Sequence, residues 1–139
     1  MTPHFVDSLN EQQTQQLHQL YQQAWWSAGR TLPEVQRLLS GGSLVFAALD
    51  TQDQLIAFSR VLTDGVYKAF IFDVIVAQDY QGTGLGKQLL ERIISDPRVR
   101  NIKHLELYCL PELIPFYERW GFGTDIAGMQ LMRRQAHPL

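Results

Sequence analysis

Phe70-Ile71-Phe72-Asp73-Val74-Ile75-Val76-Ala77-Gln78-Asp79-Tyr80, followed by Gln81-Gly82-Thr83-Gly84-Leu85-Gly86 and then Lys87-Gln88-Leu89-Leu90-Glu91-Arg92-Ile93-Ile94, is the stretch that decides the fold. Its first part is a dense apolar run rich in β-branched and aromatic residues, which predicts a buried strand. Its last part sets Leu85, Leu89 and Ile93, with Leu90 and Ile94, at helical spacing, so an amphipathic helix follows. Between them glycine alternates with other residues at positions 82, 84 and 86. Strand, glycine turn and helix together aim unpaired backbone N–H groups and the positive end of a helix dipole at one point. That is the chemistry of a phosphate cradle.

Outward from this stretch, His4-Phe5-Val6 reads as a short first strand. Ser8-Leu9-Asn10-Glu11 matches a capping box, and the helix behind it has an apolar face of Leu17, Leu20, Tyr21 and Ala24. The glutamines around that face read as solvated. Trp25-Trp26-Ser27-Ala28-Gly29-Arg30 ends the helix and turns. A second box, Thr31-Leu32-Pro33-Glu34, opens a short helix carrying Val35, Leu38 and Leu39, with Pro33 in its first turn and Gly41-Gly42 as its stop. Leu44 to Leu49 and Leu55 to Val61 are expected strands of a hairpin closed by Asp50-Thr51-Gln52-Asp53. Asp64-Gly65 turns the chain into the central strand, which runs from Tyr67 or Lys68 to Ala77. The helix after the glycine turn ends at Asp96-Pro97.

His104 to Cys109 alternates like a further strand. Pro111 to Trp120 is expected as a last helix, bent in its first turn by Pro115 and stopped by Gly121. Met129 to Met132 is the candidate closing strand. No linker or repeat interrupts this order, which predicts one α+β domain over residues 1–139 with an internal β-α-β crossover.

Of 139 residues, 45% are hydrophobic and 19% charged, the profile of a globular domain rather than a disordered or membrane-spanning chain. A net charge of −2 gives no electrostatic reason to expect nucleic acid or an anionic membrane as partner. One cysteine, Cys109, excludes an internal disulfide, fits a reducing compartment and reads as a small buried apolar residue. The first residues lack the basic and apolar regions of a signal peptide, so the expected setting is cytoplasmic. His4, His18, His104 and His137 are scattered without ligand spacing, and no metal is expected.

Three phosphate-binding patterns compete for the glycine turn. A Walker A loop requires a serine or threonine after Gly86-Lys87, where Gln88 stands, and a glycine five residues before Gly86. A dinucleotide fingerprint requires a third glycine at Lys87 or Leu89, and belongs after the first strand of its fold. Neither matches. Gln81-x-x-Gly84-x-Gly86, after a strand ending Val74-Ile75-Val76, resembles instead the coenzyme A signature of the GNAT superfamily of acyl-CoA-dependent N-acyltransferases. Pro115-Phe116-Tyr117-Glu118-Arg119-Trp120-Gly121-Phe122 is similar to that family's F-Y-x-x-x-G-F segment. Together these motifs and their strands span about half the chain.

The resemblance implies a GNAT-like fold: a mixed, mostly antiparallel central sheet with helices on both faces and a splayed central strand. It implies acetyl-CoA as cofactor, held by the backbone of Val74, Ile75 and Val76 and by Gln81, Gly82, Thr83, Gly84, Leu85, Gly86 and Lys87. The acceptor would be the primary amine of a small molecule, with a protein lysine or N-terminus as alternative. A non-catalytic acyl-CoA-binding module of the same fold is the rival class. Tyr117 would give a proton to the departing thiolate. Phe70 stands where many members carry a basic glutamate, so the base is sought elsewhere. Asp73, the one carboxylate inside the apolar strand, reads either as base or amine-binding group, or as a structural carboxylate paired with Arg60 or a loop N–H. Glu106 and Tyr108 are further candidates, as is a water chain. Trp25, Trp26, Arg30 and Tyr67 would cover the acceptor. A homodimer is left open.

Overall fold

The computed structural model describes residues 2–136. The chain divides into two compact units, Met1–Leu107 and Tyr108–Leu139. The first is built on a five-stranded sheet in the order β1-β2-β3-β4-β5. Strands β1 (His4–Val6), β2 (Leu44–Leu49), β3 (Leu55–Thr63) and β4 (Lys68–Val76) are antiparallel to their neighbours, and β5 (His104–Glu106) is parallel to β4. A parallel pair needs a crossover, and helix α3 (Leu85–Ser95) supplies it. The sheet is mixed and mostly antiparallel, as the motifs led one to expect.

Alternation along the strands covers both faces of the sheet. Val45, Ala47, Leu49, Phe58 and Ile75 pack with Leu17, Leu20 and Tyr21 of α1 (Glu11–Tyr21) and Val35 of α2 (Leu32–Ser40). Residues of the other parity, such as Phe46 and Ala48, are buried on the opposite face, as are Leu85, Leu89, Leu90 and Ile93 of α3. On that side the Arg92 guanidinium lies 4.3 Å from the Phe5 ring centroid.

The second capping box forms as expected: Thr31 Oγ1 accepts from Glu34 N–H, and Glu34 Oε1 accepts from Thr31 N–H. The first does not. The cap of α1 is Asn10, paired with Gln13, instead of Ser8 with Glu11. The later start brings two glutamines onto the β2–β3 turn. Gln13 donates to Asp53 O at 3.1 Å, and Gln16 Oε1 accepts from Leu55 N–H at 2.9 Å. Gln13 is therefore buried, not solvated, and α1 ends at Tyr21, before Ala24.

Strand β3 runs past Val61 to Thr63. Strand β5 stops at Glu106, short of Cys109. Its ladder with β4 covers Lys68–Phe70, and just beyond, β4 bulges. Arg60 faces Phe72 while Phe58 faces Ile75, so Ser59 stands opposite both Asp73 and Val74. Asp73 takes φ 59°, the left-handed region uncommon outside glycine. The bulge frees the carbonyl of Phe72, which accepts instead from the buried Ser59 hydroxyl at 2.8 Å.

In the second unit the expected single helix is a 3-10 turn, Pro111–Leu113, followed by the short α4, Ile114–Glu118. Pro111 and Pro115 each occupy a first-turn position, where a missing N–H is tolerated, and so break one helix into two. No strand forms at Met129–Met132. Ala127 and Gly128, with φ of 59° and 76°, turn the chain, and Met129 N–H closes onto Ile126 O.

Candidate active site

Beyond Val76 the chain makes a 3-10 turn at Gln78–Tyr80 and enters the glycine segment. Gly82 and Gly84 take φ of 78° and 85°, where a Cβ is disfavoured. Gly84 is the N-cap of α3 and brings no side chain to cap it. The first helical bond runs from Gln88 N–H to Gly84 O at 3.1 Å, which leaves the N–H groups of Leu85, Gly86 and Lys87 without helical acceptors. A Cβ built on Gly82 or Gly84 would meet no atom within 4 Å, so the turn opens onto free space. Gly86 sits in the first helical turn without positive φ. Gln81 Nε2 ties the loop to Val76 O at 3.2 Å, and Thr83 Oγ1 donates to Tyr80 O. Lys87 is exposed, its Nζ 4.0 Å from Glu91 Oε1. Unpaired N–H groups, a helix dipole and unobstructed approach fit a diphosphate.

Strand β4 leads into this turn with one edge unpaired by any described strand. Towards β3 the ladder continues to Val76; towards β5 it ends at Phe70. Among the described residues, Val74, Ile75 and Val76 therefore have no strand on the side away from β3, the opening that a splayed central strand requires.

Asp73 sits at the bulge and gathers side chains distant in sequence. Its Oδ2 accepts from Tyr21 OH at 2.9 Å, Arg30 Nη1 at 2.8 Å and Arg60 Nε at 2.8 Å; its Oδ1 accepts from Arg30 Nη2 at 3.2 Å. The Asp73 side chain is 6% exposed, Arg60 14% and Arg30 29%. Burial alone would push the Asp73 carboxyl up, but the hydrogen bonds and charges of Arg30 and Arg60 outweigh it and hold it below the usual carboxylate range. Four donors fill the oxygens of this carboxylate, which leaves it a poor proton acceptor. Burial, then the Asp73 charge, pushes the Tyr21 hydroxyl upward, so it stays a donor. Rings brace the guanidinium groups: Arg30 lies 4.5 Å from the Tyr21 centroid and 5.5 Å from Trp26, and Arg60 lies 4.7 Å from Phe72.

Of the residues expected to cover an acceptor, Trp26 and Arg30 thus join Asp73, while Trp25 is 77% exposed. Tyr67 precedes β4, its N–H on Asp64 Oδ1 at 2.8 Å, about 20 Å from Asp73 at strand rise. Glu106 pairs with Lys68 at 3.0 Å, at that same far end of β4. Arg60 was legible as a partner for Asp73; Tyr21, which reads as core, and Arg30 were not. The signal was a carboxylate in an apolar strand, which demands donors.

In the second unit, Tyr117 is buried, its ring edge-on to Phe116 at 5.0 Å and Phe122 at 6.1 Å. Burial first, and the charge of Cys109 second, push its hydroxyl up to about 12. Tyr108 lies beyond β5, with the Arg133 guanidinium 5.8 Å from its ring. Among the described residues no group of three or more His, Cys, Asp or Glu could share a metal ion; His137 lies outside them. No helix there is long and apolar enough to cross a membrane.

The Acetyltransferase (GNAT) family pattern matches residues 5–122, the first strand through the F-Y-x-x-x-G-F segment. This chain belongs to the GNAT acetyltransferase family. An N-acetyltransferase, ycf52, of Pyropia yezoensis is 31% identical over 120 residues, 84% of this chain and 68% of the relative. GCN5-related N-acetyltransferase 1, chloroplastic, of Arabidopsis thaliana is 38% identical over 96 residues, 67% of this chain and 49% of the relative. The chain thus spans about half the length of that plant GNAT protein. Among solved structures, a GNAT-family acetyltransferase of Xanthomonas campestris superposes with a TM-score of 0.80 at 25% identity, covering 98% of this chain and 96% of the other.

Proposed function

We propose that this GNAT protein is an acetyl-CoA-dependent N-acetyltransferase acting on the primary amine of a small molecule. The observation that carries the reading is the start of α3: an N-cap glycine in the left-handed region, with unpaired N–H groups behind it and open space before it. In this reading the main chain from Gln81 to Lys87 holds the diphosphate, with Lys87 as a screened charge. The open edge at Val74, Ile75 and Val76 pairs with the pantetheine arm. Coenzyme A supplies the acetyl group as a thioester, already activated towards amines. A main-chain N–H beside the bulge meets the negative charge that gathers on the carbonyl oxygen during attack. Tyr117, protonated throughout the neutral range, gives its proton to the departing sulfur.

Asp73 is a positioning residue in this scheme, not the base. Its oxygens are engaged and its proton affinity is lowered, which withholds it from proton abstraction and from an incoming ammonium. Glu106 is engaged with Lys68. In this reading the amine loses its proton to a water chain, with Tyr108 as the other candidate. Relatives divide on the acceptor: a rice protein, 38% identical over 81 residues, is named for serotonin, and a soybean protein, 37% identical over 81 residues, for histone. We favour a small molecule because the Asp73, Arg60 and Arg30 side chains at the bulge are only 6%, 14% and 29% exposed, little surface for a protein to grip. A reducing compartment, cytoplasmic or plastid, suits the chain.

Thermal denaturation with acetyl-CoA, ATP or NAD tests the cradle. A ligand at about a hundred times its Kd adds roughly 2.7 kcal/mol of stability. Acetyl-CoA should stabilise the protein and the nucleotides should not, and Gly84→Glu should remove the effect. Stabilisation by ATP or NAD with none by acetyl-CoA would overturn the proposal. Thiol release in the presence of amines separates a catalyst from a binding module.

A further inference from the structure

Two guanidinium groups stand on one carboxylate at the bulge. Asp73 contributes one negative charge against the positive charges of Arg30 and Arg60, and Tyr21 stays neutral. Among the described residues neither arginine forms an ion pair with any other carboxylate. Glu34, which feels Arg30 at longer range, is exposed and turns its oxygen to Thr31. One positive charge is left over on side chains that are mostly withdrawn from water, a costly state unless an anion joins them.

The donors for such an anion are in place. Arg60 spends Nε on Asp73, and its Nη1 and Nη2 have no acceptor among the described residues. No fully buried side-chain nitrogen or oxygen among those residues lacks a partner, so each of these Nη groups keeps some contact with solvent. Phe72 fixes the plane of Arg60, while Tyr21 and Trp26 fix that of Arg30. A pre-set fork of this kind matches the paired oxygens of a carboxylate or phosphate. It repels an ammonium.

We propose that the acceptor amine carries an anionic group, a carboxylate or phosphate, that docks on the outward Nη groups of Arg60 with Arg30 beside them. The proposal rests on the acetyltransferase reading and adds the substrate class. The anion sits one hydrogen-bonded residue from the bulge.

Matched amines test this on the full chain: β-alanine against β-alaninamide, phosphoethanolamine against ethanolamine, tryptophan against tryptamine. The anionic member of at least one pair should be favoured roughly tenfold or more in kcat/KM. It should also raise the melting temperature of the coenzyme A-bound protein where its neutral partner does not. The pair that responds separates carboxylate from phosphate. Arg60→Lys keeps a charge beside Asp73 and loses the fork, so the preference should fall roughly tenfold, through KM. Arg30→Lys is the second variant, should the first fail to fold. Equal or better use of the neutral amines overturns the proposal, as does a preference untouched in the folded variant. If acetyl-CoA stabilises the protein but no pair member reacts or adds stability, the anion proposal falls alone. If acetyl-CoA itself gives no stabilisation, the cofactor reading fails first.

Discussion

Arg30 and Asp73, separated by 43 residues, are joined by two hydrogen bonds of 2.8 and 3.2 Å that tie the loop before α2 to the bulge of β4. A left-handed aspartate in mid-strand is costly by itself. The ring of donors around it over-determines the conformation.

Removing one partner of a buried ion pair leaves the other uncompensated, at a cost of about 3–5 kcal/mol. Asp73→Ala strands two arginines and should lie in that range, whereas Tyr21→Phe deletes one hydrogen bond and should cost about 1–2 kcal/mol. Urea unfolding of both variants measures this. An Asp73→Ala protein as stable as the parent would show that the cluster carries no structural weight.

The acid side of the stability profile follows from the same group. The Asp73 carboxyl is held below its ordinary value, so the unfolded chain takes up this proton first as pH falls. Its contribution is present above the unfolded value of about 3.9 and is lost as pH drops through the lower, folded one. Asp73→Asn should therefore flatten the decline in unfolding free energy below about pH 5 relative to the parent. Parallel acid limbs would assign the loss to other carboxylates.

What the sequence carried about this architecture varied with how local the cause was. Thr31 and Glu34 cap a helix with contacts three residues apart, and that start was readable. Asn10 and Ser8 offer equivalent caps, and what separates them is the docking of Gln13 and Gln16 on a turn some forty residues away. The glycine turn was legible because φ and the helix start are local properties. The Asp73 cluster was half legible: a carboxylate in an apolar strand demands donors, but a tyrosine at the end of α1 and an arginine in the following loop reach it only through tertiary packing. The β5 ladder ends at Phe70 and the β4 bulge follows at Asp73 and Val74, and no alternation pattern announces either.

Gly84 gives a prediction in which backbone and ligand effects separate. Its φ of 85° is strained for a residue with a Cβ, yet a Cβ there meets no atom within 4 Å. Gly84→Ala should therefore cost about 1–2 kcal/mol from backbone strain alone, and Gly84→Asn less, since asparagine tolerates the left-handed region. Equal losses for the two variants would mean that something other than φ decides. Acetyl-CoA stabilisation should weaken in both, because each side chain projects into the space proposed for the diphosphate.

Tyr117 supplies the last prediction, on the alkaline side of the rate profile. Burial raises its hydroxyl to about 12, so the proton it is proposed to donate stays in place well past neutrality. A tyrosine of ordinary acidity would lose that proton near pH 10 and impose a falling limb on kcat there. The parent protein should show no such limb up to about pH 10, the ordinary tyrosine value. Tyr117→Phe should lower kcat across the whole range with acetyl-CoA affinity little changed, the pattern of a group used at the departing sulfur rather than in binding. A pH–rate series on both proteins, with cofactor affinity measured separately, distinguishes the cases. Unchanged turnover in the phenylalanine variant would move the proton donor to another group. A drop in affinity with kcat preserved would make Tyr117 a binding residue.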